Sequence, residues 1–375
     1  MFQFKKYDFK HYNISLVLLV ITLSCIGAFL IRMVQQEGEP LFSKQVFGIV
    51  VGILILLLVS IIDYHFICEF YILLYIINFG LLLAVRFFGT EINNSRRWLN
   101  LKFTLVQPSD FSKVIMILVL AKIFTMLKDK MDKFYVLLLT GFLMAVPTFL
   151  ILIQTNLSTS IVMMFIFVTM IFAAGLSYKI ILPILIIGIP LVFGLFWYVQ
   201  QDYQVLLTEY QQNRVISFLN PELDTAEDLL YQQDNSIQVI GSGKLTGKLL
   251  TEGEDAIQSD TFVPVSESDF IFSVIGEALG FIGGCIIILL FALLIFKCII
   301  VARNASDRMG MLIAIGVASM FMFQVFVNIG VATSILPNTG LPLPFVSYGL
   351  SSLTSCMIAI GLIINISLQR KKRRG

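Results

Sequence analysis

The chain has 375 residues, 58% of them hydrophobic and only 13% charged, with a mean hydropathy of +0.90 and a formal charge of +2. Charged residues alone make up about a quarter of a soluble domain, so a water-soluble globule is excluded. The only histidines, His11 and His65, lie far from the polar clusters described below, which excludes a His-based catalytic triad or a His-rich zinc site.

Apolar runs of about 20 residues recur, each enough to cross a ~30 Å hydrocarbon core as helix. They predict an all-α polytopic membrane protein of about ten spans: 14–33, 45–63, 67–87, 109–127, 133–153, 157–174, 179–199, 269–299, 309–335 and 347–368. The first run lacks a small-residue cleavage site and reads as a span rather than a removable signal. Pro147, Pro183 and Pro190 fall inside spans, where neighbouring helices satisfy the backbone groups that proline frees. The cysteines Cys25, Cys68, Cys285, Cys298 and Cys356 all lie in or near spans and read as small buried hydrophobes, not a disulfide framework.

An even number of spans places both termini on one side. Lys5, Lys6 and Lys10 at the start, Lys128, Lys130, Lys133, Lys179, Lys297, Arg303 and Arg308 in the turns, and 370–374 at the end share that side. The positive-inside rule makes it cytoplasmic. The long connection 200–268 after the seventh span is then extracellular. It holds twelve Asp and Glu against Arg214, Lys244 and Lys248, a formal balance of −9, which argues against nucleic acid as a partner. Within it, 213–224 and 231–248 carry apolar positions and read as an ordered re-entrant or amphipathic lid. Gly241-Ser242-Gly243 is only a weak phosphate-loop signal.

Three further polar stretches follow in chain order. In 93–113, Arg96-Arg97-Trp98 reads equally as an interface anchor or as a phosphate clamp. Asp110 and Lys113 open the fourth span three residues apart, on one helix face, and can pair. Asp269 stands at the start of the eighth span, as an N-cap, a solvated helix start or a functional acid. Glu277 lies roughly 12 Å deeper and must face the bundle interior, where it supports a buried cation. In 328–353, Pro337, Gly340, Pro342 and Pro344 predict a rigid non-helical link, followed by the hydroxyls of Ser347, Tyr348, Ser351 and Ser352.

In this order the stretches resemble the shape, elongation, division and sporulation (SEDS) family of RodA-, FtsW- and SpoVE-like proteins, over residues 45–368. The motifs are Arg96-Arg97-Trp98, Gln107-Pro108-Ser109-Asp110-x-x-Lys113, Arg214…FLNP, YQQDNSIQVIGSGKLTGK, SDFIFSVIGEALGF and NIGVATSILPNTGLPLPFVSYGLSS. The family's usual Glu of the second motif is Asp110 here, and the common His-Thr before the key acid is Glu267-Ser268. A second acid after Glu277 is Ala278, a QPDLGT-like turn is Gln154-Thr155-Asn156-Leu157-Ser158-Thr159, and one glycine of the last motif is Leu350.

The resemblance implies a single membrane domain, 1–375, in the bacterial plasma membrane. It implies a peptidoglycan glycosyltransferase that polymerises lipid II outside that membrane, alongside a class B penicillin-binding protein transpeptidase. Asp269 matches the family's essential acid and is the expected general base. Lys113, Arg97 and Arg214 are the expected cations for the departing diphosphate, with a divalent ion (Mg or Mn) as an expected helper and no organic cofactor. Asp110 and Glu277 would orient those cations, Ser347 and Ser351 would support the site, and Glu267 is expected to be a solvated loop charge. Two other readings are a lipid II flippase and a non-catalytic scaffold for the transpeptidase. No internal repeat is found, and the polar residues crowd one face, which favours the enzyme over transport.

Overall fold

The computed structural model describes residues 7, 12–35, 38–92, 95–100, 105–177, 186, 190, 194, 197–201, 204–205, 212, 216, 227–257 and 263–369. Among these, seven helices are long and apolar enough to cross a membrane: α1 (Ile14–Val34), α2 (Leu41–Ile61), α4 (Tyr71–Phe88), α6 (Phe134–Ile153), α10 (Ile271–Asn304), α11 (Arg308–Ala332) and α12 (Leu350–Leu368). The chain is a multi-pass membrane protein. Two further helices, α5 (Pro108–Met126) and α7 (Leu157–Ala173), pack within the same bundle. Most of the predicted seventh span, 179–199, lies outside the described residues.

The predicted third span is divided: a short α3 (Tyr64–Glu69) precedes α4, with Phe70 between them. Between the third and fourth spans lies a small antiparallel sheet of β1 (Thr90–Ile92), β2 (Ser95–Asn100) and β3 (Leu105–Val106), in the order β1-β2-β3. Hydropathy gives no hint of these strands because they are short and largely polar. Short helices α8 (Glu227–Ser242) and α9 (Lys248–Thr251) lie in the long connection.

Burial separates the centre of the bundle from its rim. In α11 and α12, 72% and 83% of the apolar stretch is buried, against 17% in α4, whose apolar face remains for lipid. The innermost helices sit close because small residues face large ones. Gly48 and Gly52 of α2 leave room for Leu350 and Met357 of α12, and Gly361 of α12 accepts Leu56 and Val59 of α2. With hydrocarbon on the outside, such close van der Waals contact is a main source of helix association.

The link between α11 and α12 is non-helical, as its prolines predict, and it is buried by protein. Leu341, Leu343, Phe345 and Val346 are each at most 3% exposed. Its backbone carbonyls are bonded by side chains: Asn328 Nδ2 donates to Leu341 O (2.7 Å) and Gln233 Nε2 to Leu336 O (2.8 Å). Irregular backbone at this depth is tolerated only when satisfied in that way.

Candidate functional site

Helix α5 begins at Pro108, whose fixed φ suits the first helical turn and whose missing N–H costs nothing there. Asp110 follows in the first turn, where the helix dipole favours an acid. Its Oδ1 accepts from Lys113 Nζ at 2.9 Å, and the two side chains are 7% and 1% exposed. The ammonium that the sequence offers for a diphosphate is thus already held by a buried partner. Ser109 Oγ accepts from Gln107 Nε2 (2.9 Å) and from Asn156 Nδ2 (3.5 Å), joining the start of α5 to the start of α7.

Asn156 caps α7, its Oδ1 accepting from Thr159 N at 3.2 Å. Ahead of it, Thr155 has φ +60 and presents its carbonyl to Arg97 Nη2 at 2.5 Å. Arg97 therefore leans on the turn before α7, on the side of the molecule where α5 also begins. Ser158, one residue into α7, donates its hydroxyl to Thr339 O in the link.

Asp269 stands just before α10. The helix starts at Ile271 and Phe270 occupies the cap position without a side-chain bond, so the capping alternative for Asp269 is not realised. The backbone carbonyl of Asp269 accepts from Asn328 Nδ2 at 2.9 Å, the same amide that holds Leu341 O. Its carboxylate accepts from Ser268 Oγ at 3.2 Å through Oδ1. Oδ2 faces Gly340, where an added Cβ would stand 3.0 Å away. Gly340 also has φ +69, a backbone conformation that favours glycine, and an added Cβ would crowd the carboxylate. Asp269 itself is half-buried.

The hydroxyl cluster fastens this region from behind. Ser347 Oγ donates to Ser268 O (2.5 Å) and accepts from Leu343 N (2.8 Å). Ser351 Oγ accepts from Gln107 N (3.0 Å) and donates to Leu105 O (3.3 Å). Asp269, Asp110, Lys113, Arg97, Ser347 and Ser351 thus all gather at one end of the bundle, while Arg214 lies outside the described residues.

One expectation is corrected. Glu267 is not a solvated loop charge: it is half-buried, and its carbonyl accepts from Tyr348 N at 2.8 Å. Burial pushes its carboxyl pKa up, and the nearby charges of Asp269 and Glu39 add to the shift. Glu277, expected to face the bundle interior and support a buried cation, does so with Lys248. It is fully buried, and its Oε1 accepts from Lys248 Nζ at 2.6 Å. Reading by residue missed Lys248, Asn328 and Gly340 as parts of this architecture. The buried depth of Glu277 was the available signal that a cation must lie near it.

Among the described residues, no group of three or more His, Cys, Asp or Glu could hold a metal ion.

The family model for FtsW, RodA and SpoVE, described as cell cycle proteins, matches residues 7–372. Stage V sporulation protein E of Bacillus subtilis (strain 168) is 33% identical over 370 residues, which are 95% of this chain and 96% of that protein. Peptidoglycan glycosyltransferase MrdB of Escherichia coli (strain K12) is 30% identical over 367 residues, 97% of this chain and 96% of the relative. Among solved structures, a chain of a peptidoglycan synthase complex, studied for its coordination of polymerization and crosslinking, superposes with a TM-score of 0.81. It is 27% identical, over 95% of this chain and 97% of that one.

Proposed function

The chain belongs to the FtsW, RodA and SpoVE family, and from that premise we propose that it is a peptidoglycan glycosyltransferase in which Asp269 is the general base. The substrate is lipid II, met at the end of the bundle where Asp269 lies. That end faces outward from the plasma membrane and both termini are cytoplasmic, a reading that the distribution of Lys and Arg supports.

The observation that carries this reading is the setting of Asp269. A half-buried carboxylate sits at the mouth of the bundle, its Oδ2 against a glycine and its backbone anchored by Asn328. In the reaction a sugar hydroxyl attacks the anomeric carbon of a second lipid-linked sugar. The new C–O bond forms as the anomeric bond to the diphosphate breaks, and the hydroxyl proton passes to Asp269. A base placed in this way contributes about 10²–10⁴-fold. Arg97 lies on the same side as Asp269 and supplies positive charge for the leaving diphosphate, while the buried Lys113–Asp110 pair adds a fixed dipole close by.

The partner is a class B penicillin-binding protein, which cross-links the new strand. The test is to give purified protein, with and without that transpeptidase, labelled lipid II and to resolve the products on a gel. Polymer from wild type, and at least about a hundredfold less from a folded Asp269→Asn variant, is expected. Wild-type protein that makes no polymer with any partner or added metal would refute the reading. A flipping assay would then separate a lipid II transporter from a scaffold.

A further inference from the structure

We infer that Lys248 is a positioning residue: with Glu277 it closes a ring of contacts through the α8–α9 bracket that sets the start of α10, and hence Asp269, against the 336–341 link. This rests on Asp269 being the reacting carboxylate.

The ring can be followed residue by residue. From Asp269 the chain runs two helical turns along α10 to Glu277, which is paired with Lys248 at the start of α9. Just beyond, Gly280 leaves helical geometry (φ 67, ψ −167), and its successors bond outside the helix. Phe281 N donates to Lys244 O (3.0 Å) and Ile282 N to Leu245 O (3.1 Å).

The bracket and α10 touch backbone to backbone. A Cβ on Gly243 would meet Gly276 O at 2.0 Å, one on Gly247 would meet Ala278 O at 2.2 Å, and one on Gly280 would meet Gly247 N at 2.4 Å. Gly243 and Gly247 therefore serve this interlock, while Gly241 stands clear of it.

The other end of the bracket grips the link. Ser236 Oγ donates to Ala332 O (2.7 Å) and Gln233 Nε2 to Val331 O and Leu336 O (3.1 and 2.8 Å). Gln232 Oε1 accepts from Asn338 Nδ2 at 2.8 Å. Two residues past Asn338, Gly340 lies against Asp269 Oδ2, and the ring is closed.

A buried ion pair is a poor source of net stability, because desolvation offsets its attraction, but it holds two groups at one separation. Lys248 is 16% exposed and Glu277 1%, so the pair sits at the inner edge of the bracket, where it fixes geometry.

The experiment uses full-length protein in detergent or nanodiscs. Lys248→Met, Glu277→Gln and the double variant are compared with Gln232→Ala/Ser236→Ala at the opposite end of the bracket. Two readouts are taken: steady-state polymerisation of labelled lipid II, and hydrogen exchange of the amides at 270–273 and 338–343. Small displacements of a reacting group cost up to about a hundredfold, so kcat is expected to fall about tenfold or more with KM for lipid II within about twofold of wild type. The double variant should be no worse than the single ones, Lys248→Arg should restore much of the rate, and both amide segments should exchange faster in every variant but Lys248→Arg.

Unchanged exchange at 270–273 and 338–343 in the variants overturns the inference, whatever the activity. So does a kcat per folded molecule within about twofold of wild type, or a loss confined to KM. If Lys248→Met does not fold, the Gln232→Ala/Ser236→Ala variant decides by the same measurements. Wild-type protein that is inactive throughout would instead count against lipid II polymerisation, and the exchange data would still judge the ring.

Discussion

The two ends of the bundle use similar side chains for different ends. At the end opposite Asp269, His65 lies between two acids: Nδ1 meets Asp63 Oδ1 at 2.8 Å and Nε2 meets Asp307 Oδ2 at 3.2 Å. Tyr64 donates its hydroxyl to Asp307 (2.5 Å), and Gln369 donates its amide to Asp63 (3.1 Å). Asp63 also caps α3 through His65 N, and Asp307 caps α11 through Gly310 N. Every charge in this group fastens one turn to another. At the Asp269 end the fastening is done by hydroxyls, amides and two buried ion pairs, and the carboxylate of Asp269 is left half-buried at the mouth. The contrast teaches that the charges of the His65 end are consumed in tying turns together, whereas at the other end much of that tying is done by neutral groups around Asp269.

The comparison can be broken at three points, beginning with the largest effect. Removing one member of the Lys113–Asp110 pair leaves a buried charge alone, so Lys113→Met or Asp110→Asn should lower unfolding stability by about 3–5 kcal/mol, read as loss of thermal stability in detergent. The double replacement should recover much of it. A pair that loosens without cost would show that this end is wet rather than packed.

Gly340→Ala should be smaller in stability and larger in function. The positive φ costs about 1–2 kcal/mol, and the methyl group would press on Asp269 Oδ2. A folded Gly340→Ala protein should therefore lose most polymerisation activity. An active one would mean that Asp269 has room that the geometry does not give.

The smallest effect belongs to the His65 end. The hydrogen bond to Asp307 raises the His65 pKa, outweighing burial, with Asp63 adding to the rise. Burial pushes the Asp307 carboxyl up, but the hydrogen bonds from His65, Tyr64 and Gly310 outweigh it and hold the pKa down to about 2. The raised histidine contributes stability that is complete below its ordinary range and lost as pH rises through the raised value. The depressed acid contributes stability that is complete above the ordinary carboxylate range and lost as pH falls toward about 2. Both are present from about pH 4 to 6.5. His65 and Asp307 are 40% and 35% exposed, so screening keeps the effect of Asp307→Asn to about 1 kcal/mol or less. Melting temperatures measured across pH should show a shallow plateau in that window for wild type, flattened in the variant.

Some of this was legible without a structure. Hydropathy located the long helices within a few residues, because a bilayer demands an apolar run of known length. The Asp110–Lys113 pair could be read from their spacing of three, and the non-helical link from its prolines and Gly340. Those features are local: they depend on helix geometry or on backbone dihedrals, which neighbouring residues set.

The rest depends on which segments meet. Lys248 and Glu277 are 29 positions apart, His65 and Asp307 242, and Asp269 meets Gly340 across two spans. No spacing rule links such pairs, because the packing of whole helices brings them together. The sequence by itself determined the class of protein and its long apolar helices, and it singled out Asp269 as the acid to which the proposed chemistry is assigned. Only the tertiary structure decided that Glu277 answers Lys248, that Glu267 is packed rather than solvated, and that a glycine stands where the carboxylate needs space. The reason is physical: a buried charge fixes that it must have a partner, and the fold decides which one it gets.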